Sequence, residues 1–202
     1  MADHKIAIIG LGNPGSEYEA TRHNAGFWFV DRLADRAGVP LRAESKFHGL
    51  FGRARIGGQD ILLLKPTTFM NRSGRAAQAL CQFYKIAPDD VLVAHDELDL
   101  AAGTMRLKLG GGHGGHNGLR DLHGQIGSGY RRLRIGIGHP GDKAMVLNYV
   151  LGRPSRDDET AILDGLGRAA DATDTWLRGS WDKALQQLHT EKHNRDSAAG
   201  SA

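Results

Sequence analysis

The stretch that most constrains this chain is residues 5–24. Here the apolar run Ile6-Ala7-Ile8-Ile9 passes into Gly10-Leu11-Gly12-Asn13-Pro14-Gly15 and ends at His23-Asn24. The apolar run predicts a buried strand, and a loop leaving the end of such a strand is where α/β folds place their sites. Gly10-x-Gly12-x-x-Gly15 also matches the dinucleotide-binding spacing. That motif requires a helix to begin within the glycines, so that its N-terminus meets a pyrophosphate. Pro14 disfavours helical backbone at Asn13. Helical periodicity starts only near Asn24, and the acidic Asp31 and Asp35 fall inside that helix rather than at a second strand end. The glycines are therefore read as shaping a tight loop that positions side chains.

With 202 residues, 40% of them hydrophobic, the chain is expected to form one domain over residues 1–190, with a frayed polar tail at 191–202. No run of 18 apolar residues occurs, which argues against a membrane span, and the N-terminus lacks an apolar signal region. The single cysteine, Cys81, excludes an internal disulfide and suits a reducing cytoplasm. It lies in Ala79-Leu80-Cys81 and reads as a small core residue rather than a nucleophile. Charge is unevenly spread: residues 101–156 carry a net +7 and residues 157–182 a net −5. One side could face a polyanion, or the two charge groups could neutralise each other in the fold.

Phe27, Val30, Leu33 and Ala34 recur at helical spacing, predicting a helix capped by Asn24 and ended by Gly38. Residues 47–56 and 59–65 read as a hairpin around Gly57-Gly58. A helix at 73–84 with Ala76, Leu80 and Phe83 on one face is followed by strands at 91–94 and 104–109. Between a short helix at 119–126 and the C-terminal helices lies a strand at 132–137. Ser155 opens one long helix in capping-box fashion, and Ser180 opens a last one to about His189. This alternation gives an α/β fold, a single domain with a twisted mixed β-sheet flanked by helices.

Four loops, at 10–24, 66–72, 95–99 and 110–118, each follow a strand candidate and are expected to meet at one sheet edge. Their polar residues include Asn13, Tyr18, His23, Asn71, Asp96, His116 and Asn117. This inventory suits hydrolysis of an activated acyl group. A neutral histidine deprotonates water, a buried aspartate fixes its tautomer, and side-chain amides hold the water and the developing oxyanion. No serine or cysteine in these loops stands out as a nucleophile, so direct attack by water is the simpler scheme. Each residue also has a plainer reading: Asn13-Pro14-Gly15 as a turn, Asn71 as a helix cap, Asp96 as a turn starter. His113-Gly-Gly-His116 could bind a metal, but no cysteine is near and further ligands are not apparent.

Taken together, the motifs carry a resemblance. Gly-Leu-Gly-Asn-Pro-Gly-x-x-Tyr (10–18), Thr-Arg-His-Asn-Ala-Gly (21–26), Lys-Pro-x-Thr-Phe-Met-Asn-x-Ser-Gly (65–74), His-Asp-Glu-Leu-Asp (95–99), Gly-Gly-Gly-His-Gly-Gly-His-Asn-Gly-Leu (110–119) and Arg-Ile-Gly-Ile-Gly-His-Pro (134–140) occur in this order. The chain resembles the bacterial peptidyl-tRNA hydrolase family from about residue 5 to 190. The resemblance implies a cytoplasmic monomer that hydrolyses the ester between a peptide and the 3′ ribose of tRNA, without metal or cofactor. It implies His23 as general base, Asp96 as its orienting partner, and Asn13 as the residue that helps tell a blocked amine from a free one. By the same resemblance Asn71 and Asn117 hold substrate or water. Tyr18, Phe69, Met70 and His116 line the groove for the peptide and terminal adenosine, and Lys108 and Arg134 contact tRNA phosphates. The alternatives are a non-catalytic RNA-binding relative of the same fold and a nucleotide site at the glycine loop.

Overall fold

A computed structural model of the chain describes residues 4–199, and side chains through residue 190. The elements run β1 (Lys5–Gly10), α1 (Ala25–Ala37), β2 (Arg42–Glu44), β3 (Gly49–Ile56), β4 (Gln59–Pro66), α2 (Ser73–Tyr84), β5 (Val91–Glu97), β6 (Met105–Leu109), α3 (Asn117–Ile126), β7 (Arg131–Gly136), α4 (Val146–Val150), α5 (Arg156–Leu177) and α6 (Trp181–Ala199). The sheet order is β2-β3-β4-β1-β5-β7-β6. Its centre, β4-β1-β5-β7, is parallel, whereas β2, β3 and β6 run antiparallel to their neighbours.

The parallel centre is covered on both faces, and β1, β4 and β5 carry near-continuous apolar runs, whereas β7 alternates arginines with Leu133 and Ile135. Ile6, Ile8, Ile61, Leu63 and Leu92 pack with Phe29, Val30 and Leu33 of α1, Ile162 and Leu166 of α5, and Leu188 of α6. The alternate residues Ala7, Ile9, Leu62, Leu64, Val91 and Val93 pack with Ala76, Ala77 and Leu80 of α2 and Leu119 and Leu122 of α3. The β3–β4 hairpin turns through Gly57 (φ 58°) and Gly58 (φ 77°), the left-handed pair a two-residue hairpin requires.

The sheet has a topological switch between β1 and β5. From β1 the chain leaves through α1 toward the β4 side; from β5 it leaves toward β7 and β6. At this point the fold is unusually tight. A Cβ on Gly10 would stand 2.2 Å from the Gly26 carbonyl oxygen, and one on Gly26 would stand 2.3 Å from the Ala94 carbonyl oxygen. Gly10 is thus needed for space, and its place in the sequence motif reflects helix–strand contact. α1 begins at Ala25, ten residues past Gly15, rather than within the glycines as the dinucleotide motif requires, and its first turn fills the space against Gly10 and Gly12.

The structure differs from the sequence reading at several elements. The edge strand β2 and the five-residue α4 were too short to leave a periodic signal. The last helix, expected to end near His189, runs to Ala199; residues 200–202 of the expected tail lie outside the described residues. Phe83, expected on the buried face of α2, is 57% exposed and packs edge-on against Phe47 with ring centroids 5.4 Å apart. Gly38 ends α1 in the left-handed conformation as expected, but the Asn24 side chain does not cap the helix.

Gly26→Ala should therefore cost about 2–3 kcal/mol, at the upper end of overpacking. In thermal unfolding followed by circular dichroism this is a fall in Tm of roughly 4–12 °C. An unchanged Tm would mean that α1 can move off the strand ends.

Candidate active site

At the switch point the Asp96 carboxylate ends the buried run of β5 and is 4% exposed. Its Oδ2 accepts a hydrogen bond from His23 Nδ1 at 2.9 Å, and its Oδ1 accepts one from His116 Nε2 at 2.8 Å. The second imidazole is fixed at its other nitrogen. His116 is the N-cap of α3, and its Nδ1 accepts from the backbone N–H of Gly118 at 3.1 Å and of Leu119 at 3.3 Å. Two donors aimed at Nδ1 require a lone pair there, so Nε2 carries the hydrogen that Asp96 accepts. Histidine as a cap is outside the usual Ser/Thr/Asp/Asn set, which is why the sequence did not signal it.

Burial pulls the His23 pKa down, but the adjacent Asp96 charge and hydrogen bond outweigh it, and the net value lies above 6.5. Burial likewise pushes Asp96 up, yet His23 and His116 together hold it well below the usual carboxylate range. The neighbouring His95 is buried and pushed down to about 3 by desolvation and by His116. Its Nδ1 donates to the Asp96 carbonyl oxygen at 2.9 Å, which fixes the end of β5.

Asn13 enters by a separate network. Its backbone N–H donates to Asn24 Oδ1 at 2.8 Å, and Asn24 Nδ2 donates to the Asn13 carbonyl at 2.9 Å. Asn24 is therefore a brace across the 11–24 loop, a role its sequence position disguised as helix capping. Asn13 Oδ1 accepts the Met70 N–H at 2.8 Å, which leaves its Nδ2 as the free donor. The bonds Asn13–Met70, His23–Asp96 and Asp96–His116 thus join the four loops that the sequence placed together.

One of those loops arrives by an unexpected route. Because β6 is antiparallel to β7, Leu109 lies opposite Arg131, at the far end of the strand from the site. Asp96 lies opposite Ile135, four residues along β7, or roughly 13 Å. Residues 110–116 must double back over the sheet to deliver His116. Gly110, Gly111, Gly114 and Gly115 do so in left-handed conformations, with φ of 70°, 118°, 57° and 82°. The expectation that all four loops leave the same sheet edge is corrected on this point.

Beside the pair lies a cleft of about 800 Å³, lined by His23, Asp96, His116, Asn117, Lys108 and Arg134, with an apolar wall from Val146, Leu147 and Val150. Asn13, Tyr18, Phe69, Met70 and Asn71 lie outside this lining. Tyr18 is half-buried in the turn before His23, where its carbonyl accepts from Thr21 Oγ1 at 2.8 Å. Phe69 is 59% exposed, whereas Met70 is buried with its sulfur against Gly118. Asn71 is exposed and does not cap α2; instead Asp121 of α3 accepts the Gly74 N–H at 2.8 Å. Lys108 and Arg134 share one face of β6–β7 with Arg106 and Arg132, because directly opposed residues point the same way. Arg134 is partly neutralised by Glu97, with Nε to Oε1 at 2.8 Å.

One ligand atom each from His23, Asp96 and His116 lie within 4.8 Å of one another, a spacing compatible with a metal ion. The hydrogen bonds to both Asp96 oxygens already satisfy these atoms, and an ion would have to displace both ring hydrogens. His113 does not join the trio: its Nδ1 accepts the Gly115 N–H at 3.0 Å.

The fold and site define an α/β protein with a histidine–aspartate pair at the switch point of its sheet and a cationic strand face beside it. The family model for peptidyl-tRNA hydrolase matches residues 7–196. The chain is 55% identical over 187 residues to the peptidyl-tRNA hydrolase of Pectobacterium carotovorum, covering 92% of this chain and 96% of that one. It is also 55% identical over 192 residues to that of Chromohalobacter salexigens, covering 94% and 98%. Among solved structures, the peptidyl-tRNA hydrolase of Acinetobacter baumannii superposes with a TM-score of 0.89 at 49% identity, covering 93% of this chain and 95% of that one. A peptidyl-tRNA hydrolase crystallised with N-propanol gives a TM-score of 0.88 at 50% identity, covering 91% and 93%. The chain belongs to the peptidyl-tRNA hydrolase family. No helix among the described residues is long and apolar enough to cross a membrane.

The pair also sets a pH dependence of stability. His23 has a raised folded pKa, so its contribution is complete below about 6.5 and is lost as pH rises through the folded value. Asp96 has a depressed one, so its contribution is complete above about 4 and is lost as pH falls. The stability difference between wild type and His23→Ala, measured by urea unfolding, should be largest between about pH 4 and 6.5 and should shrink on the alkaline side. A difference independent of pH would contradict the pairing.

Proposed function

We propose that the chain hydrolyses the ester between a peptide, or an N-blocked amino acid, and the 3′ ribose oxygen of tRNA, with His23 as general base and no covalent intermediate. The observation that carries this reading is the 2.9 Å hydrogen bond from His23 Nδ1 to Asp96, which leaves Nε2 as the ring's free lone pair beside the cleft. Nε2 takes a proton from water as the water oxygen adds to the ester carbonyl. The tetrahedral oxyanion then collapses, the bond to the 3′ oxygen breaks, and the imidazolium returns its proton to that oxygen. The products are a free carboxylic acid and tRNA. A base of this kind contributes about 10²–10⁴ in rate. Asp96 acts through His23, as a positioning residue that fixes the tautomer and stabilises the imidazolium.

Asn13 explains preference for a blocked amine. Its free Nδ2 is a donor, and an N-acyl group presents a carbonyl acceptor to it. A free ammonium presents only hydrogens. Asn117 at the cleft and Asn71 nearby hold substrate or the attacking water. The exposed Phe69 ring offers a stacking surface for the terminal adenine, and Tyr18 is a second aromatic contact for the substrate. Met70 serves mainly by anchoring Asn13, and His116 by holding Asp96. Lys108 and Arg134 are the phosphate contacts, of which Lys108 is the stronger candidate because Glu97 engages Arg134. The protein works as a monomer in the cytoplasm, recycling tRNA from peptidyl-tRNA released by ribosomes.

The test is release of N-acetylated amino acid from N-acetyl-aminoacyl-tRNA, beside free aminoacyl-tRNA, with EDTA present throughout. Wild type should cleave only the blocked substrate, with a rate that rises with pH through the His23 titration and then levels. His23→Ala should lose about 10²–10⁴ of that rate. Normal turnover by folded His23→Ala would remove the proposed base, and no cleavage by wild type would favour a role in RNA binding alone.

A further inference from the structure

Arg132 of β7 is 3% exposed, and among the described residues no carboxylate forms an ion pair with it. Its guanidinium donates to the carbonyl oxygens of Gly111 and Gly112, and an Nη lies 3.1 Å from His123 Nε2. Its carbon sits 4.8 Å from the Tyr130 ring centroid. Arginine can only donate, so His123 Nε2 accepts. A buried cation without an ion pair of its own is a costly way to fill a strand position; the charge of Glu97, which Arg134 engages, favours it only through space.

We propose that Arg132 is a positioning residue for the reaction: its planar fork pins the returning glycine loop to the sheet and thereby sets where His116 meets Asp96. The inference rests on the His23–Asp96 reading given above. Residues 110–116 hold five glycines and have little side-chain packing to fix their path across the sheet. Two carbonyls captured by one rigid guanidinium fix it. The position passes along the loop through the His113 carbonyl, which accepts the His116 N–H at 2.9 Å, and then through the imidazole to Asp96 Oδ1 at 2.8 Å. Lys108 is placed by the same loop: its Nζ stands 2.9 Å from where a Gly111 Cβ would be. Arg132 is not itself a phosphate contact, because its Nη groups are engaged and its Nε is buried.

The test compares Arg132→Lys and Arg132→Met with wild type, and repeats Arg132→Lys in a His116→Ala background. Far-UV circular dichroism and Tm establish folding, and Arg132→Lys keeps the test available if Arg132→Met fails to fold. In Arg132→Lys kcat should fall about tenfold with KM within about threefold, since one ammonium replaces the two-pronged clamp. With the His116 bond loosened, Asp96 gives more of its charge to His23, so the pH–rate midpoint should move to higher pH. In the His116→Ala background the same substitution should change kcat less than about twofold, because coupled residues do not add. Equal losses in both backgrounds, an unshifted pH profile, or a loss confined to KM with a reduced salt dependence would overturn the proposal. His23→Ala, assayed in parallel, tests the underlying site separately: its retention of turnover would overturn that reading whatever Arg132 does.

Discussion

A carboxylate that is 4% exposed and ionised cannot stand alone in a protein interior, and Asp96 is tolerated because two imidazoles share it. One oxygen takes His23, the other His116. The two rings present opposite nitrogens to it and so have opposite tasks. His116 spends its remaining nitrogen on two backbone N–H groups of α3 and is fully committed. His23 keeps its remaining nitrogen free. The division aims the buried charge at one imidazole whose other nitrogen is free, and it ties the start of α3 to the end of β5.

The rest of the fold brings the two rings to that carboxylate along different routes. His23 comes from the β1 side, where Gly10 and Gly26 let α1 approach to backbone contact with the ends of β1 and β5. His116 comes from the opposite side, along a loop that begins at the wrong end of the sheet and crosses it. The first route relies on missing side chains and the second on left-handed backbone. Glycine supplies both, for two different physical reasons.

Much of this was legible in the sequence. The apolar strands, the Gly57-Gly58 hairpin and the helix ended by Gly38 follow from local periodicity and turn chemistry, and the motifs singled out His23, Asp96, His116 and Asn13. The gaps were at positions where a side chain's partner lies far along the chain. Asn24 stands where a helix cap belongs, and nothing local says that its amide turns back to Asn13. Arg132 sits in Arg131-Arg132, which reads as part of a solvated basic span. The alternation Arg132-Leu133-Arg134-Ile135 marks one face of a strand, but the burial of Arg132 comes from a loop whose direction depends on β6 being antiparallel, and no residue in β6 encodes that by itself. Short elements such as β2 and α4 carry too few residues for a period to emerge.

The central claim is that Asp96 holds two imidazoles in opposite tautomers, and long-range ¹H–¹⁵N correlation spectra of the histidine rings read tautomers directly. Spectra would be recorded above the pH at which His23 titrates. The structure predicts His23 with hydrogen on Nδ1 and a bare Nε2, and His116 with hydrogen on Nε2 and a bare Nδ1. A bare Nδ1 on His23, or hydrogen on Nδ1 of His116, would contradict the account, because Asp96 would then lack the donors that keep its charge buried.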